Sequence, residues 1–348
     1  MKSRDAYFMK RCLDLARLGA PHTSPNPLVG AIVVHDNIII GEGFHRRYGE
    51  AHAEVNAIRS ISPENQHLLP YSTIYISLEP CAIYGHTPPC VNLILDKKIP
   101  RVVIAGLDRT PGVNGKGVKK LEEAGVIVVT DVLEQAGGRL NAIRNTFVTK
   151  RRPYVILKFA QSQNQKIANL DRRPVWFTNR ISKRLVHKWR SEVDAIMIGR
   201  KTAQFDNPRL NNRLHFGPSP IRVVLDQHLR LSRQLHLFDG QHQTIVFADK
   251  RHRLPPPAPN LSFVGIPFDQ NTIDECLSFL HSQNISTLLV EGGAQLLNSF
   301  IENNTWDEAR VLTGNKWLPT GIDAPILPVP PVYEKPILDD KLQLFYNE

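Results

Sequence analysis

His52-Ala53-Glu54, Leu78-Glu79-Pro80-Cys81 and Pro88-Pro89-Cys90 form the stretch on which the reading of this chain turns. Within it stand one imidazole, a carboxylate two residues later, and two thiols separated by eight residues, each preceded by proline. Zinc takes nitrogen and sulfur ligands in a tetrahedron, and a catalytic zinc keeps three protein ligands with one position open for water. His52, Cys81 and Cys90 supply three such ligands, which leaves Glu54 over as a proton carrier. A His-x-Glu pair alone is common on solvated helix faces, and two cysteines alone are usually core residues. A structural zinc would need a fourth ligand, for which His45 and His86 stand nearest. The three ligands, the carboxylate and the prolines together favour the open, catalytic site.

Outward from this stretch, strands and helices alternate. Residues 6–18 read as a helix with Phe8, Cys12, Leu15 and Ala16 on one stripe. Ser24-Pro25-Asn26-Pro27 reads as a turn, followed by apolar strands at 29–34 and 38–41. A helix is expected over 50–60 with His52 in its first turn, then a buried strand over 71–78 that ends at Glu79-Pro80-Cys81. A helix from 89 to 95, a strand from 101 to 106 and a helix from 117 to 123 complete the pattern of helices packed on both faces of a sheet. The metal ligands thus fall at the starts of two helices and the end of a strand. Helix N-termini carry partial positive charge and favour thiolate over thiol.

With 348 residues the chain is long enough for two domains. Apolar content of 42% and charged content of 22% describe a globular protein, and no apolar run approaches the length of a membrane span. Four scattered cysteines make no disulfide framework. Cys12 and Cys276 fall in helical apolar patterns, and a reducing cytoplasm fits best. The net charge of +10 favours anionic partners. Only Lys150-Arg151-Arg152 clusters, without interleaved aromatics, so phosphorylated small molecules account for the charge as well as nucleic acid does. No residue pattern fixes an oligomeric state, and a homo-oligomer is compatible with all of this.

Pro25-Asn26-Pro27-Leu28-Val29-Gly30, His52-Ala53-Glu54, and Leu78 to Cys81 with Tyr84-Gly85-His86-Thr87-Pro88-Pro89-Cys90 resemble the bifunctional deaminase–reductases of riboflavin biosynthesis. Zinc nucleobase deaminases divide labour as above, with a His/Cys/Cys metal site and a non-ligating glutamate. Most place two residues between the cysteines, whereas the eight found here are typical of the riboflavin enzymes. The resemblance implies an N-terminal cytidine-deaminase-like α/β/α domain, residues 1–150, that removes an amino group from 2,5-diamino-6-(5-phosphoribosylamino)pyrimidin-4-one. Asn26 matches a residue beside the substrate ring, although turn formation alone would also explain it.

After Arg152-Pro153 a new apolar strand runs over 154–160, with others at 195–199, 221–226, 244–248 and 287–290, and a turn and helix over 176–190. The last strand enters Glu291-Gly292-Gly293-Ala294, where glycines at a strand-to-helix turn let backbone N–H groups approach a phosphate. Leu157 to Ala160, Gly199 to Thr202, Asp206 to Leu210, Arg222 to Asp226 and Val290 to Gly293 resemble the family's reductase half. That half is similar to dihydrofolate reductase in fold. The resemblance implies NADPH binding through Ala160, Trp176, Thr202, Asp206, Gly293, Ala294 and Gln295. It implies contacts to the phosphoribosyl substrate through Arg190, Leu210, Arg213 and Glu291, with Lys158 and Glu291 handling the opened sugar. Arginine forks suit phosphate because they bind oxyanions bidentately.

Two departures fall in this half. Ser162-Gln163-Asn164-Gln165-Lys166 stands where the family usually reads Ser-Leu-Asp-Gly-Lys, and Asp171 to Val175 replaces a hydroxyl-rich segment. Residues 151–348 are expected to form the reductase domain, and its last residues, about 30 of them and proline-rich from Pro325 to Pro336, read as an extended tail packed on the surface. Two rival readings remain at this level. One is an RNA- or nucleoside-directed deaminase with an unrelated second domain, and the other keeps the second domain as a dimerisation scaffold.

Overall fold

Ala31 and Val33 point to one side of the first strand and Ile32 and Val34 to the other, and all four are buried. A strand buried on both faces needs a layer on each side. The computed structural model describes residues 2–20, 22–23, 26–84, 88–110, 113–171, 173 and 175–347, and folds as two units, Met1–Arg151 and Arg152–Glu348.

The first unit runs α1 (Lys2–Arg17), β1 (Gly30–His35), β2 (Ile38–Phe44), α2 (Ala53–Arg59), β3 (Thr73–Ile76), α3 (Cys90–Asp96), β4 (Arg101–Ile104), α4 (Lys116–Glu123), β5 (Ile127–Val129), α5 (Glu134–Leu140) and the single turn α6 (Ala142–Asn145). Its sheet has the order β2-β1-β3-β4-β5, antiparallel on both sides of β1 and parallel from β3 onward. On one face, Ala31, Val33, Ile74, Ile76, Val102 and Ile104 meet Ala53 and Ala57 of α2, Val91 and Ile94 of α3, and Leu121 of α4. On the other, Ile32, Tyr75 and Val103 meet Phe8, Met9 and Cys12 of α1. A Cβ at Gly43 would stand 2.4 Å from the Ala57 nitrogen, so glycine is what lets α2 lie down on β2. Packing α2 and α3 on the same face brings their N-termini to the end of β3. That meeting point positions the site.

The second unit runs β6 (Tyr154–Gln161), β7 (Lys166–Ala168), α7 (Arg180–Ser191), β8 (Ala195–Gly199), α8 (Arg200–Asp206), β9 (Ile221–Leu225), β10 (Thr244–Asp249), β11 (Leu261–Ile266), α9 (Thr272–Ser282), β12 (Thr287–Val290), α10 (Ala294–Glu302), β13 (Glu308–Thr313), β14 (Ile322–Asp323), β15 (Tyr333–Ile337) and β16 (Asp340–Tyr346). Nine strands form one sheet in the order β11-β10-β9-β8-β12-β6-β13-β16-β15. The first seven are parallel, and β16 and β15 turn antiparallel. Cys276 lies buried on α9, as its apolar pattern predicts. No helix among the described residues is long and apolar enough to cross a membrane.

The C-terminal segment departs from the expected surface tail. Residues 333–346 form a hairpin that extends the sheet beyond β13 and buries Leu342 and Phe345. Pro336 sits on the edge strand β15, where a missing N–H costs no ladder bond. The hairpin also fixes the start of α7. Asn179 donates its side-chain N–H to the Ile337 carbonyl (2.7 Å) and to Asp339 (2.8 Å), and its backbone N–H to Asp340 (2.8 Å). Its own Oδ1 accepts from Ile181 and Ser182 as the helix cap. Truncation before residue 333 should therefore uncover the β13 edge, uncap α7 and lower the melting temperature of this unit by several degrees. A truncated chain that melts with the full-length protein would restore the surface-tail reading.

Candidate active sites

In the first unit, His52 is the N-cap of α2 rather than a residue of its first turn, with extended backbone at φ −69° and ψ 165°. Its side chain makes no capping hydrogen bond. Instead Nδ1 faces both sulfurs, 3.6 Å from Cys81 and 3.3 Å from Cys90. In a zinc tetrahedron with Zn–S of about 2.3 Å and Zn–N of about 2.0 Å, sulfur and nitrogen stand about 3.5 Å apart. The spacing and the donor set therefore both fit zinc. Cys90 opens α3, and its backbone N–H points at the Cys81 sulfur at 3.3 Å. That donor and the nearby imidazole lower the Cys81 thiol, the first cause being its hydrogen bond with Cys90, which is pushed up in turn. One proton shared between two sulfurs is what a metal displaces.

Glu54 lies in the first turn of α2 and is only 3% exposed. Burial first, and then the Cys81 charge, push its carboxyl above the usual range, and the nearby His52 and Cys90 oppose that. His45, 3% exposed, has both nitrogens committed: Nδ1 is 3.2 Å from the Ala51 carbonyl and Nε2 is 3.1 Å from Asn26 Nδ2. It is not a fourth ligand. Because a carbonyl only accepts, Nδ1 carries the proton, Nε2 accepts from the Asn26 amide, and the Asn26 Oδ1 is left facing away from His45. His86, with Gly85 and Thr87, lies outside the described residues, as do Ser24 and Pro25 of the expected turn. Among the described residues, His52, Cys81 and Cys90 are the group able to hold a metal.

In the second unit, Lys158 of β6, Arg190 of α7 and Glu291, immediately after β12, converge with side chains only 13%, 12% and 8% exposed. Arg190 donates Nε and Nη2 to the two Glu291 oxygens at 2.8 and 2.7 Å, and Lys158 Nζ lies 3.9 Å from Oε2. Burial alone would raise Glu291, but the two cations outweigh it and hold the carboxyl at about 2. Burial lowers Lys158, and Glu291 partly opposes that. Lys158 is thus no surface lysine. The fork of Arg190 is engaged with Glu291 rather than open. Arg213 is exposed and donates to the Asn211 side chain at 3.0 Å, while the Asn211 carbonyl accepts from Arg190 at 3.3 Å, so the two arginines share one neighbour. Leu210 is buried at φ 47°, so only its strained backbone could meet a ligand.

Thr202 of α8 lies against the turn at Gly292 and Gly293, which have φ of 154° and 66°. A Cβ at Gly293 would stand 3.1 Å from the Thr202 hydroxyl, so the turn and the threonine share one small space. Ala294 and Gln295 open α10. Ala160 lies half-buried one residue before the end of β6, Asp206 ends α8 exposed, and Trp176 is exposed with Lys183 Nζ 4.4 Å over its ring. One residue escaped the sequence reading. The His187 Nδ1 accepts the Arg213 backbone N–H at 3.2 Å, and burial followed by nearby arginines lowers this imidazole to about 4. Its apolar neighbours on α7 gave no signal of that role.

The Asn164-Gln165 departure has a local explanation. Asn164 accepts from Ser162 Oγ at 2.8 Å and from the Leu318 N–H at 3.1 Å, and donates to the Leu318 carbonyl at 2.6 Å. Only an amide can do both, and Gln165 takes φ 60° where glycine would be unstrained. These residues build a turn away from the Lys158 cluster's bonds. In the second altered segment, Arg172 and Pro174 lie outside the described residues.

Glu291 carries a pH signature. Its folded value of about 2 lies below the roughly 4.3 of a free glutamate, so its stabilisation is fully present above about pH 4.3 and is lost as pH falls toward 2. The stability difference between wild type and Glu291→Gln, measured by urea unfolding, should be constant near neutrality and shrink over that window. A pH-independent difference would contradict the ion pairing.

Residues 2–106 match the family model of the cytidine and deoxycytidylate deaminase zinc-binding region, and residues 153–319 that of the RibD C-terminal domain. The riboflavin biosynthesis protein RibD of Bacillus amyloliquefaciens is 37% identical over 327 residues, covering 91% of this chain and 87% of that one. The crystal structure of a diaminohydroxyphosphoribosylaminopyrimidine deaminase/5-amino-6-(5-phosphoribosylamino)uracil reductase from Thermotoga maritima superposes with a TM-score of 0.87 at 33% identity, covering 99% of each chain. Acinetobacter baumannii RibD superposes with a TM-score of 0.85 at 28% identity over the same share of each. Such identity over nearly the full length, with both matched regions in the order the fold requires, means that the chain belongs to the RibD family of riboflavin biosynthesis proteins.

Proposed function

We propose that this chain catalyses two successive steps of riboflavin biosynthesis on one small phosphorylated molecule. The first unit hydrolytically deaminates 2,5-diamino-6-(5-phosphoribosylamino)pyrimidin-4-one. The second reduces the ribosyl group of the product to ribityl with NADPH. The observation that carries the reading is the buried Glu54 carboxyl in contact with the converging ligands His52, Cys81 and Cys90. The thiols are free, which suits a reducing cytoplasm.

Zinc, where His52, Cys81 and Cys90 hold it, would supply Lewis-acid activation of water. Glu54 is the buried group placed to take a proton from the attacking water and to return it to the amino nitrogen, which leaves as ammonia. Asn26, with Oδ1 turned from His45, offers an acceptor to a ring N–H or amino group. Burial of Glu54 keeps bulk water from competing for the same proton.

NADPH supplies the hydride for the second step. Thr202, Gly293, Ala294 and Gln295 would hold its phosphates, and Ala160, Trp176 and Asp206 would bind the remainder. Reduction at C1′ consumes one hydride and one proton. Lys158, buried beside Glu291, is the group able to give that proton while Glu291 balances its charge. Lys158, Arg190 and Glu291 together leave one net positive charge in the interior, and Arg213 adds another at the surface, which suits a phosphorylated ligand. A second unit retained only as a scaffold would have no use for this cluster, since buried charges are costly unless they act.

Both activities are read by supplying the diaminopyrimidine phosphate with and without NADPH and following ammonia and nicotinamide absorbance together. Glu54→Gln should retain zinc and lose ammonia release by about 10²-fold or more. Lys158→Met should release ammonia normally and fail to oxidise NADPH. Ammonia release surviving in Glu54→Gln would remove Glu54 from the mechanism.

A further inference from the structure

Glu79 stands two residues before a metal ligand, yet its carboxylate points elsewhere. It is 4% exposed, and its oxygens accept four backbone N–H groups: Asp108 at 3.1 Å, Gly115 at 2.9 Å, Gly117 at 2.7 Å and Val118 at 3.3 Å. Two of these donors, Gly117 and Val118, belong to the first turn of α4, whose amides have no partner within the helix and carry partial positive charge. The carboxylate thus caps a helix remote in sequence. Charge-assisted bonds of this kind are about twice as strong as neutral ones.

The connection to Cys81 is short and stiff. The Glu79 backbone N–H is held by the Gly106 carbonyl at 3.0 Å, and Pro80 fixes its own φ. A Cβ at Gly117 would lie 2.2 Å from the Pro80 carbonyl oxygen, so α4 rests directly against the peptide that leads into Cys81. On the far side, Cys81 is held by α3 through Val91 N–H to its carbonyl (3.2 Å) and Cys90 N–H to its sulfur (3.3 Å). Cys81 is therefore clamped between the starts of two helices, and Glu79 makes one of the two jaws.

We propose that Glu79 is a positioning residue of the metal site, which sets the direction of the Cys81 sulfur without ligating. Its oxygens are saturated by N–H donors, which separates its role from that of Glu54. The inference rests on the reading of His52, Cys81 and Cys90 as ligands.

The test is metal affinity and cobalt spectroscopy on the full chain. Zinc affinity is measured by chelator competition, and the sulfur-to-metal absorption is recorded with Co²⁺ in place of zinc. Glu79→Gln keeps the shape but turns an NH₂ toward N–H donors. It should weaken zinc binding about 10- to 100-fold and shift the cobalt bands. Leu121→Ala, which loosens α4 in the core without touching Glu79, should lower the melting temperature and leave both readouts unchanged. If Glu79→Gln fails to fold, Val118→Pro deletes the longest of the four bonds at a first-turn position that tolerates proline, and should give a smaller loss in the same direction. A Glu79 variant with wild-type affinity and spectrum overturns the proposal, as does an equal loss in Leu121→Ala. Failure of the wild type to bind either metal would instead overturn the ligand assignment itself.

Discussion

The arrangement in the first unit depends on one imidazole nitrogen facing two sulfurs at 3.3 and 3.6 Å. Polar atoms that close, at the start of helices and shielded from water, are stable only if a charge is shared among them. The fold supplies the condition by packing α2 and α3 on one face of β3, so that His52 and Cys90 begin helices beside Cys81 in the loop that follows the strand. Glycine at position 43 is part of the same requirement, because α2 must come close to β2 for its first turn to reach the sulfurs. Glu54, in the first turn of α2, is then buried beside the ligands.

The second unit solves a different problem with a similar economy of parts. Seven parallel strands gather their C-terminal ends on one edge, and Glu291 and the Gly292-Gly293 turn emerge there from β12. Burial works against the charge of Glu291 and of Lys158, and the Arg190 and Lys158 cations hold Glu291 ionised. Each supports the others. Arg190 reaches Glu291 from α7, whose start is tied to the C-terminal hairpin through Asn179. The end of the chain thus contributes to the placement of a side chain in the interior of the unit.

Much of this was legible in the residues. The three ligands, the two prolines and Glu54 point to the metal centre, and continuous apolar runs locate most strands of both sheets. What escaped had physical reasons. The tail was read from its prolines, whereas Pro336 falls on an edge strand where no ladder bond is required, and Leu342 and Phe345 supply the burial. Asn164 and Gln165 read only as departures from the family's run, because composition does not reveal a turn that needs an amide donor and a positive φ. Arg190 was expected to offer its fork to phosphate. No local pattern could show that Glu291, far along the chain, already occupies it. His187 and Glu79 act on backbone N–H groups distant in sequence, a type of contact that leaves no periodic trace.

The most direct measurement on the first unit is zinc-edge X-ray absorption of the purified full-length chain, which counts sulfur neighbours and recognises imidazole by its outer scattering. The expected result is two sulfurs at about 2.3 Å and one imidazole nitrogen at about 2.0 Å, with one light oxygen neighbour that exchanges with solvent. Two imidazoles, or three or more sulfurs, would mean that a fourth protein group closes the site, and hydrolysis there would have no place to occur.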